Sequence, residues 1–484
     1  MTVGGVAAGG GGGEDPSQSA ADAPARVLVV GSGFAGLHTA RALERTLPAG
    51  KARITLVSPT DYMLYSPLLP EVAAGVMDPR HIVVPLAQSL RRATPVLGFA
   101  VDVDLERRVL TVQLPSGQTR QLDWDRLVLC PGSVTRDLPV PGLDEYARGF
   151  KSLAEALYLR DHVLQQLELA DVAQTPDERA GRCTFLVVGA GYAGTEFVAQ
   201  MQHFLAGVLP RYRHLRAADV RWLLCDTADA VLPELGPALG ERTLRLLRGR
   251  GVEVRLGTSV KQIRADAVTL SDGTDVPTRT VVWTAGVTAS PLIAATASRH
   301  RLPLDKGRLK VDAFLAVAGW QDVWALGDGA AVPDLTRPGQ VTPPTAQHAQ
   351  RQAKTAARNV AASLGVGRPG RYRHHDLGLV VDLAGRDAVA RPLRIPLSGL
   401  AAKTVTRGYH LMALPSTGNR IRVAVDWLLD AVLARSAAQL GYIPEGAVAL
   451  PAAEHTKLYQ AMAGTAGSMA LPHGQHPPSA ATSG

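Results

Sequence analysis

With 484 residues, 46% hydrophobic and 19% charged, the chain is long enough for two or three domains with sizeable cores, and its composition excludes a disordered or fibrous protein. No stretch reaches the roughly 20 uninterrupted apolar residues of a membrane span. The formal charge of +8 is carried by scattered Lys and Arg without a nucleic-acid motif, which argues for no nucleic-acid partner.

Residues 1–23 are Gly/Ala-rich and lack a basic start followed by an apolar run. They read as a disordered tail rather than a secretory signal, and residues 461–484 read as a second tail. Residues 25–37 predict a strand, a glycine turn and a helix, with the fingerprint Val27-Leu-Val-Val-Gly31-Ser-Gly33-Phe34-Ala35-Gly36. Arg53 to Ser58 is the next strand, and Tyr62 to Gly75, with Pro67 and Pro70, reads as a loop. Val96 to Leu114 alternates like antiparallel strands before a Pro115–Gly117 turn, and Leu127 to Gly132 is a buried strand ending in a turn.

A helix over Ser152 to Ala170 leads into a second fingerprint, Phe185-Leu-Val-Val-Gly189-Ala-Gly191-Tyr192-Ala-Gly194. Val220 to Asp226 is the next strand of that unit. Val252 to Leu256 and the Asp272-Gly273 turn continue its sheet, and Thr280 to Gly286 closes it. Asp322 to Asp328 is another buried strand, ending in Gly327-Asp328. Strands alternating with helices predict an α/β fold with parallel sheets, in which a whole nucleotide-binding unit occurs twice.

The two fingerprints share one chemistry. A diphosphate requires backbone N–H donors at a positive helix end. The first glycine makes the turn, the second lets the backbone approach the pyrophosphate, and the third lets helix and strand pack closely. Two such turns in one chain imply two dinucleotides, and so electron transfer between them. The residue ending the second strand of each unit faces the adenosine ribose. In the second unit it is Asp226, whose acid accepts ribose hydroxyls and repels a 2′-phosphate, favouring NADH over NADPH. In the first unit it is Ser58, a weaker ribose partner. Cys130, Cys183 and Cys225 lie in apolar strands without a CxxC pair, which fits a reducing compartment and buried, inert thiols.

Together these motifs resemble the two-dinucleotide-binding-domain flavoproteins, and among them the type II NADH dehydrogenases, single-chain NADH:quinone oxidoreductases that pump no protons. The likeness runs from about Arg26 to Arg435. It implies two Rossmann-like domains: an FAD domain over residues 24–150 and 287–395, and an NADH domain over 151–286. FAD would lie on Gly31, Gly33, Phe34, Ala35 and Gly36, with Ser58, Gly132, Gly327 and Asp328. NADH would lie on Gly189, Gly191, Tyr192, Gly194 and Asp226, with Ala285 and Gly286 in the strand-turn motif Trp283-Thr-Ala-Gly286. Pro67 to Gly75 looks like the family's loop beside the flavin. Glu196 matches a glutamate between nicotinamide and flavin; on residues alone it reads equally as a first-turn acid favoured by the helix dipole.

Pro343 to Gln352 resembles the segment under the flavin that borders the quinone pocket. Gln347 matches the first of two family glutamines, but Arg351 stands where the second is expected, with Gln350 and Gln352 on other faces. Arg351 either anchors a quinone carbonyl or marks a different acceptor. Residues 396–460 read as a C-terminal membrane-docking segment. Gly399 to Leu414 carries Lys403 and Arg407 among apolar residues. Asn419 to Arg435 puts Ile421, Val425, Leu428 and Val432 on one helical face, with Trp427 expected at headgroup depth; the same face would also serve core packing or a homodimer interface. The resemblance implies a cytoplasmic enzyme, peripheral on the inner face of the cell membrane. Two other readings of the motifs are a soluble reductase feeding a ferredoxin-like acceptor and a non-catalytic redox sensor. The cysteine positions argue against disulfide-reductase and sulfide:quinone chemistry, and the few tail histidines form no metal site.

Overall fold

The computed structural model describes residues 23–453 apart from 137 and 376. The tails expected over 1–23 and 461–484 therefore lie almost wholly outside the described residues. Strand β1 (Ala25–Val30) is buried from Val27 onward and turns through Gly31 into helix α1 (Phe34–Thr46). β2 (Ala52–Ser58) pairs parallel with it. The segment expected as a loop holds a three-residue strand and helix α2 (Leu69–Ala73), entered at Pro70, where the missing N–H costs nothing. β3 (Thr94–Leu97) joins β2 in parallel, and residues 99–123 then form a separate antiparallel three-stranded sheet with the predicted turn. β4 (Arg126–Leu129) returns beside β1.

β5 (Ser133–Thr135) begins the connection between the two units, and β6 (Ala147–Gly149), although it precedes residue 151, pairs with the second sheet. Helix α3 (Leu153–Asp171) starts at Ser152 in a capping box: the serine hydroxyl accepts from Glu155 N, and Glu155 reaches back to Ser152 N. β7 (Thr184–Val188), buried along its whole length, runs through Gly189 into α4 (Tyr192–Val208). β8 (Arg221–Cys225), β9 (Val252–Arg255) and β10 (Thr280–Trp283) complete a five-stranded parallel sheet of order β6-β10-β7-β8-β9. The Asp272-Gly273 turn does not extend this sheet. It belongs to a small antiparallel sheet of residues 260–277, because a tight hairpin cannot supply a parallel neighbour.

β11 (Val287–Ala289) pairs antiparallel with β5, a two-stranded ribbon between the units. The chain then returns to the first sheet through β12 (Ala316–Val317) and β13 (Trp320–Ala325), giving the order β12-β13-β4-β1-β2-β3. All neighbours in it are parallel except β12 and β13. Helix α5 (Ala346–Ser363) packs against α1 and so covers one face of this sheet. Near-continuous apolar strands such as Val27–Val30 are what a sheet buried on both faces requires.

β14 (Val380–Asp382), β15 (Ala388–Ala390) and β16 (Leu397–Ser398) form a small antiparallel sheet under α6 (Gly399–Ala413), followed by α7 (Thr417–Val432). Beyond α7 the chain does not remain with these helices. Asp161 accepts from Leu440 N at 2.9 Å and Gly441 N at 2.7 Å, and α8 (Leu450–Ala453) inserts Leu450 into the core of the second sheet. Within the segment 396–460, the residues described after α7 thus pack on the second unit rather than continue α6 and α7.

Candidate active site

The two glycine turns have the same local geometry. Gly31 and Gly189 have φ of +99° and +113°, a region costly for residues with a Cβ, and a Cβ on Gly31 would lie 2.2 Å from Cys130 O. A Cβ on Gly36 would lie 1.6 Å from Gly31 O, and one on Gly194 1.9 Å from Gly189 O, so each third glycine is required by helix–strand contact. At Gly33, Gly191 and Gly132 nothing lies within 4 Å of the Cβ position. The open faces of Gly33 and Gly191, at the N-termini of α1 and α4, leave room for a pyrophosphate at two places. The residues therefore fit two dinucleotides.

At the second turn, Asp226 directly follows β8 and its carboxylate accepts from Ala190 N at 2.5 Å and Ala228 N at 2.8 Å. It stands against the fingerprint loop through its bond from Ala190 N. Ala285 and Gly286 follow β10; Gly286 has φ +82°, and Thr284 Oγ1 donates to Val188 O at 2.8 Å, fastening this turn to β7. At the first turn, Ser58 is buried and already satisfied. Its hydroxyl donates to Thr60 O at 2.6 Å and lies 2.6 Å from Ser32 Oγ. Asp328 accepts from Ser133 Oγ at 2.8 Å, and Lys151 Nζ donates to Ser133 O at 2.6 Å. Gly31, Ser133 and Lys151 line one cleft with Pro59, Gly98 and Ser290. Lys151 and Ser133 were not anticipated, since neither lies in a fingerprint. Cys130, Cys183 and Cys225 are buried free thiols, and burial pushes all three above the usual thiol range.

α5 begins at Thr345, whose hydroxyl accepts from His348 N. Gln347 Nε2 donates to Gly378 O at 3.2 Å. Gln352, expected only to flank the site, accepts from Gly327 N at 2.8 Å and so fixes the Gly-Asp turn. Gln350 Nε2 lies 3.0 Å from His38 Nε2; with His38 Nδ1 donating to Phe34 O, the amide is the donor. Arg351 is half-buried, and its Nη1 is buried without a hydrogen-bond partner among the described residues.

Glu196 lies in the second turn of α4, beyond the first-turn position that the helix dipole favours, and is 9% exposed. Its Oε1 accepts from Asp382 N at 2.8 Å. Around it the fold gathers a polar cluster that no single sequence segment reveals. Asp382 Oδ1 accepts from Lys403 Nζ at 2.6 Å, Gln200 Nε2 at 2.9 Å and Ala384 N at 2.9 Å. Glu71 of α2 accepts from Trp427 Nε1 at 2.5 Å, and Arg407 stacks over the Trp427 ring at 5.0 Å. Tyr65 OH and His410 Nδ1 meet at 3.0 Å. Trp427 therefore points into the protein, not toward lipid headgroups, and Lys403 is a buried ion-pair partner rather than a surface cation. Gln200 alone had a local signal, standing one turn beyond Glu196 on the same helix face.

The electrostatics follow from burial. Desolvation raises the Glu196 carboxyl well above the usual range; the Asp382 N–H opposes this, and the charges of Asp382 and Glu71 reinforce it. Glu71 is pushed up to about 7 by burial and then by Asp382, against the pull of Lys403 and the Trp427 N–H. Burial lowers His410 to about 4. Three carboxyls thus lie near one buried ammonium, and burial favours the protonated form of Glu196.

The Pyridine nucleotide-disulphide oxidoreductase family matches residues 25–353. The Type II NADH:quinone oxidoreductase Ndh of Mycobacterium tuberculosis is 33% identical over 417 residues, covering 83% of this chain and 87% of that protein. The Demethylphylloquinone reductase NdbB of Synechocystis sp. is 33% identical over 84% of this chain and 96% of its own. Among solved structures, NDH2 from Plasmodium falciparum in complex with NADH superposes with a TM-score of 0.79 at 17% identity, covering 86% of this chain and 99% of that one, and shares the fold.

Because Glu71 titrates higher when folded, the folded state binds more protons than the unfolded one between its ordinary value near 4.5 and about 7. Its contribution to stability is complete below that window and declines as pH rises through it. Glu71→Gln keeps an acceptor for Trp427 and removes the titration. Its Tm should fall less than that of the native chain, by about 2 °C or more, between roughly pH 5 and pH 7.5. Parallel Tm curves would exclude this assignment.

Proposed function

The chain belongs to the pyridine nucleotide-disulphide oxidoreductase family and, within it, to the type II NADH:quinone oxidoreductases, and we propose how its residues divide that work. The reaction is electron transfer from NADH to a quinone through FAD. FAD held at the first glycine turn would supply the two-electron chemistry that links NADH to the quinone. One proton is taken up overall, since NADH, a proton and a quinone yield NAD⁺ and a quinol.

Gly31, Gly33 and Gly36 cradle the flavin dinucleotide at α1, with Phe34 and Ala35 in the first helical turn. Ser58 shapes the ribose end through its bond to Ser32. Gly132 leaves a face open, and Gln352 with Ser133 sets Gly327 and Asp328 for the ribitol. Gly189, Gly191, Tyr192 and Gly194 hold NADH, with Ala285 and Gly286 on the facing turn. Asp226 accepts the ribose hydroxyls and repels a 2′-phosphate. Glu196 orients the nicotinamide and holds the proton consumed; the observation carrying this role is its burial against Asp382 N–H beside a second, raised carboxyl. Gln347 and Arg351 border the quinone end, and the unpartnered Arg351 Nη1 supplies a donor for a quinone oxygen.

α7 supplies the membrane contact. Ile421, Val425, Leu428 and Val432 are 46–72% exposed, forming an apolar stripe backed by a buried Val423 and Trp427. Among the described residues no helix is long and apolar enough to cross a membrane. The enzyme then works bound peripherally on the cytoplasmic face of the cell membrane, where a quinone is supplied from the bilayer.

Asp226→Ala should narrow the preference for NADH over NADPH at least tenfold, measured as the ratio of kcat/KM values for flavin-loaded protein with a soluble quinone. The ratio cancels any general loosening of the turn, and an unmoved ratio would remove Asp226 from the ribose site. Leu428→Asp should abolish flotation with liposomes while leaving Tm nearly unchanged, because the side chain is 66% exposed. Undiminished flotation, or conversion of a dimer to a monomer, would assign the stripe to another role.

A further inference from the structure

Beside the apolar stripe of α7 lies a basin of about 550 Å³, between the end of α4, the turn after β14, α6 and the residues following α7. Arg211, Arg386, Lys403, Arg407, Arg435 and His203 line it. Asp430 is the only acid among its described lining residues, and Arg435 takes both carboxylate oxygens at 2.6 and 3.1 Å. Lys403 is paired with Asp382. Arg211, Arg386 and Arg407 thus contribute charge with no carboxylate partner among the described residues. The field is felt locally: His203 is held below its usual range by burial and then by Arg435 and Arg250.

Two donors mark the basin as more than a basic surface. Arg407 Nε and Arg435 Nη1 are buried and lack a hydrogen-bond partner among the described residues. Leaving a charged donor unpaired away from water is costly, and an anion with several acceptor oxygens relieves it. The rim is apolar: Leu400 is 55% exposed and Leu433 61% exposed, and Leu433 continues the exposed stripe of α7. A free phosphate has no use for such a rim, whereas a lipid satisfies both parts.

We propose that this basin binds the phosphate of an anionic glycerophospholipid, with the acyl chains crossing Leu400 and Leu433 onto α7. The proposal rests on membrane docking through α7 and adds a discrete headgroup site to it. Docking would then not depend on diffuse charge alone, because the guanidinium groups converge on one headgroup while the stripe enters the acyl boundary.

The test is co-sedimentation of flavin-loaded protein with phosphatidylcholine vesicles and with vesicles containing phosphatidylglycerol. The double variant Arg211→Gln/Arg386→Gln removes two exposed charges of the basin. Arg394→Gln/Arg422→Gln removes two exposed charges outside it. The basin variant should lose about tenfold or more in affinity for the anionic vesicles, keep its affinity for the neutral ones, and oxidise NADH with a soluble quinone at the native rate. The outside variant should lose markedly less. Equal losses in the two variants would reduce the basin to part of a diffuse field and overturn the proposal. Equal native affinity for both vesicle types would overturn it while leaving α7 docking intact, and native protein binding neither vesicle would overturn both. Inorganic phosphate that displaces the protein from anionic vesicles at the ionic strength where chloride does not would support the site.

Discussion

The polar cluster around Glu196 depends on one buried pairing, Asp382 with Lys403. Each is nearly inaccessible, and a charge in such a place is tolerated only when paired and hydrogen-bonded. Asp382 accepts from an ammonium, an amide side chain and a backbone N–H at Oδ1, while its buried Oδ2 has no hydrogen-bond partner among the described residues. Removing either partner would strand the other, at a cost of about 3–5 kcal/mol. The pairing also joins β14 to α6, and the Asp382 backbone then presents its N–H to Glu196. Asp382 thus sets the position of the Glu196 carboxyl, whose preference for the protonated form comes first from burial, with the Asp382 N–H opposing it and the Asp382 charge adding to it.

The same cluster ties α7 to the interior. α7 has two apolar faces. Ile421, Val425, Leu428 and Val432 face outward, while Val423 and Trp427 face the protein, where Trp427 donates to Glu71. On the same side His81 meets Asp426 at 2.5 Å, and Asn419 donates to Val83 O at 2.6 Å. The helix is therefore held to α2 and its neighbours by polar bonds while its outer stripe remains free. The chain after α7 then crosses back along α3 to the second sheet, so both nucleotide-binding units are in contact with the C-terminal region.

The glycine turns were legible in the sequence because they are local: strand, turn and helix occupy ten consecutive residues, and each glycine answers to a contact within that span or just beside it. Asp226 was legible for the same reason, as the end of the next parallel strand. The cluster around Glu196 was not, because Glu71, Asp382, Lys403 and Trp427 come from four segments, each without a signal of its own. Trp427 was misread because helical periodicity identifies apolar faces without saying which one packs inward. The aromatic side chain with a polar N–H suited a headgroup layer on pattern, yet in the fold that N–H serves a buried carboxylate. Gln352 was passed over because a glutamine on a helix looks like surface until the Gly327 N–H is found opposite it.

The proposed role of Glu196 as holder of the consumed proton rests on burial favouring its protonated form. Infrared difference spectroscopy of flavin-loaded protein, recorded on reduction by NADH at neutral pH, reads this directly. A band in the protonated-carboxyl region should change on reduction in the native chain and be absent in Glu196→Gln. The same band persisting in Glu196→Gln, or only ionised-carboxylate bands in the native chain, would contradict the account.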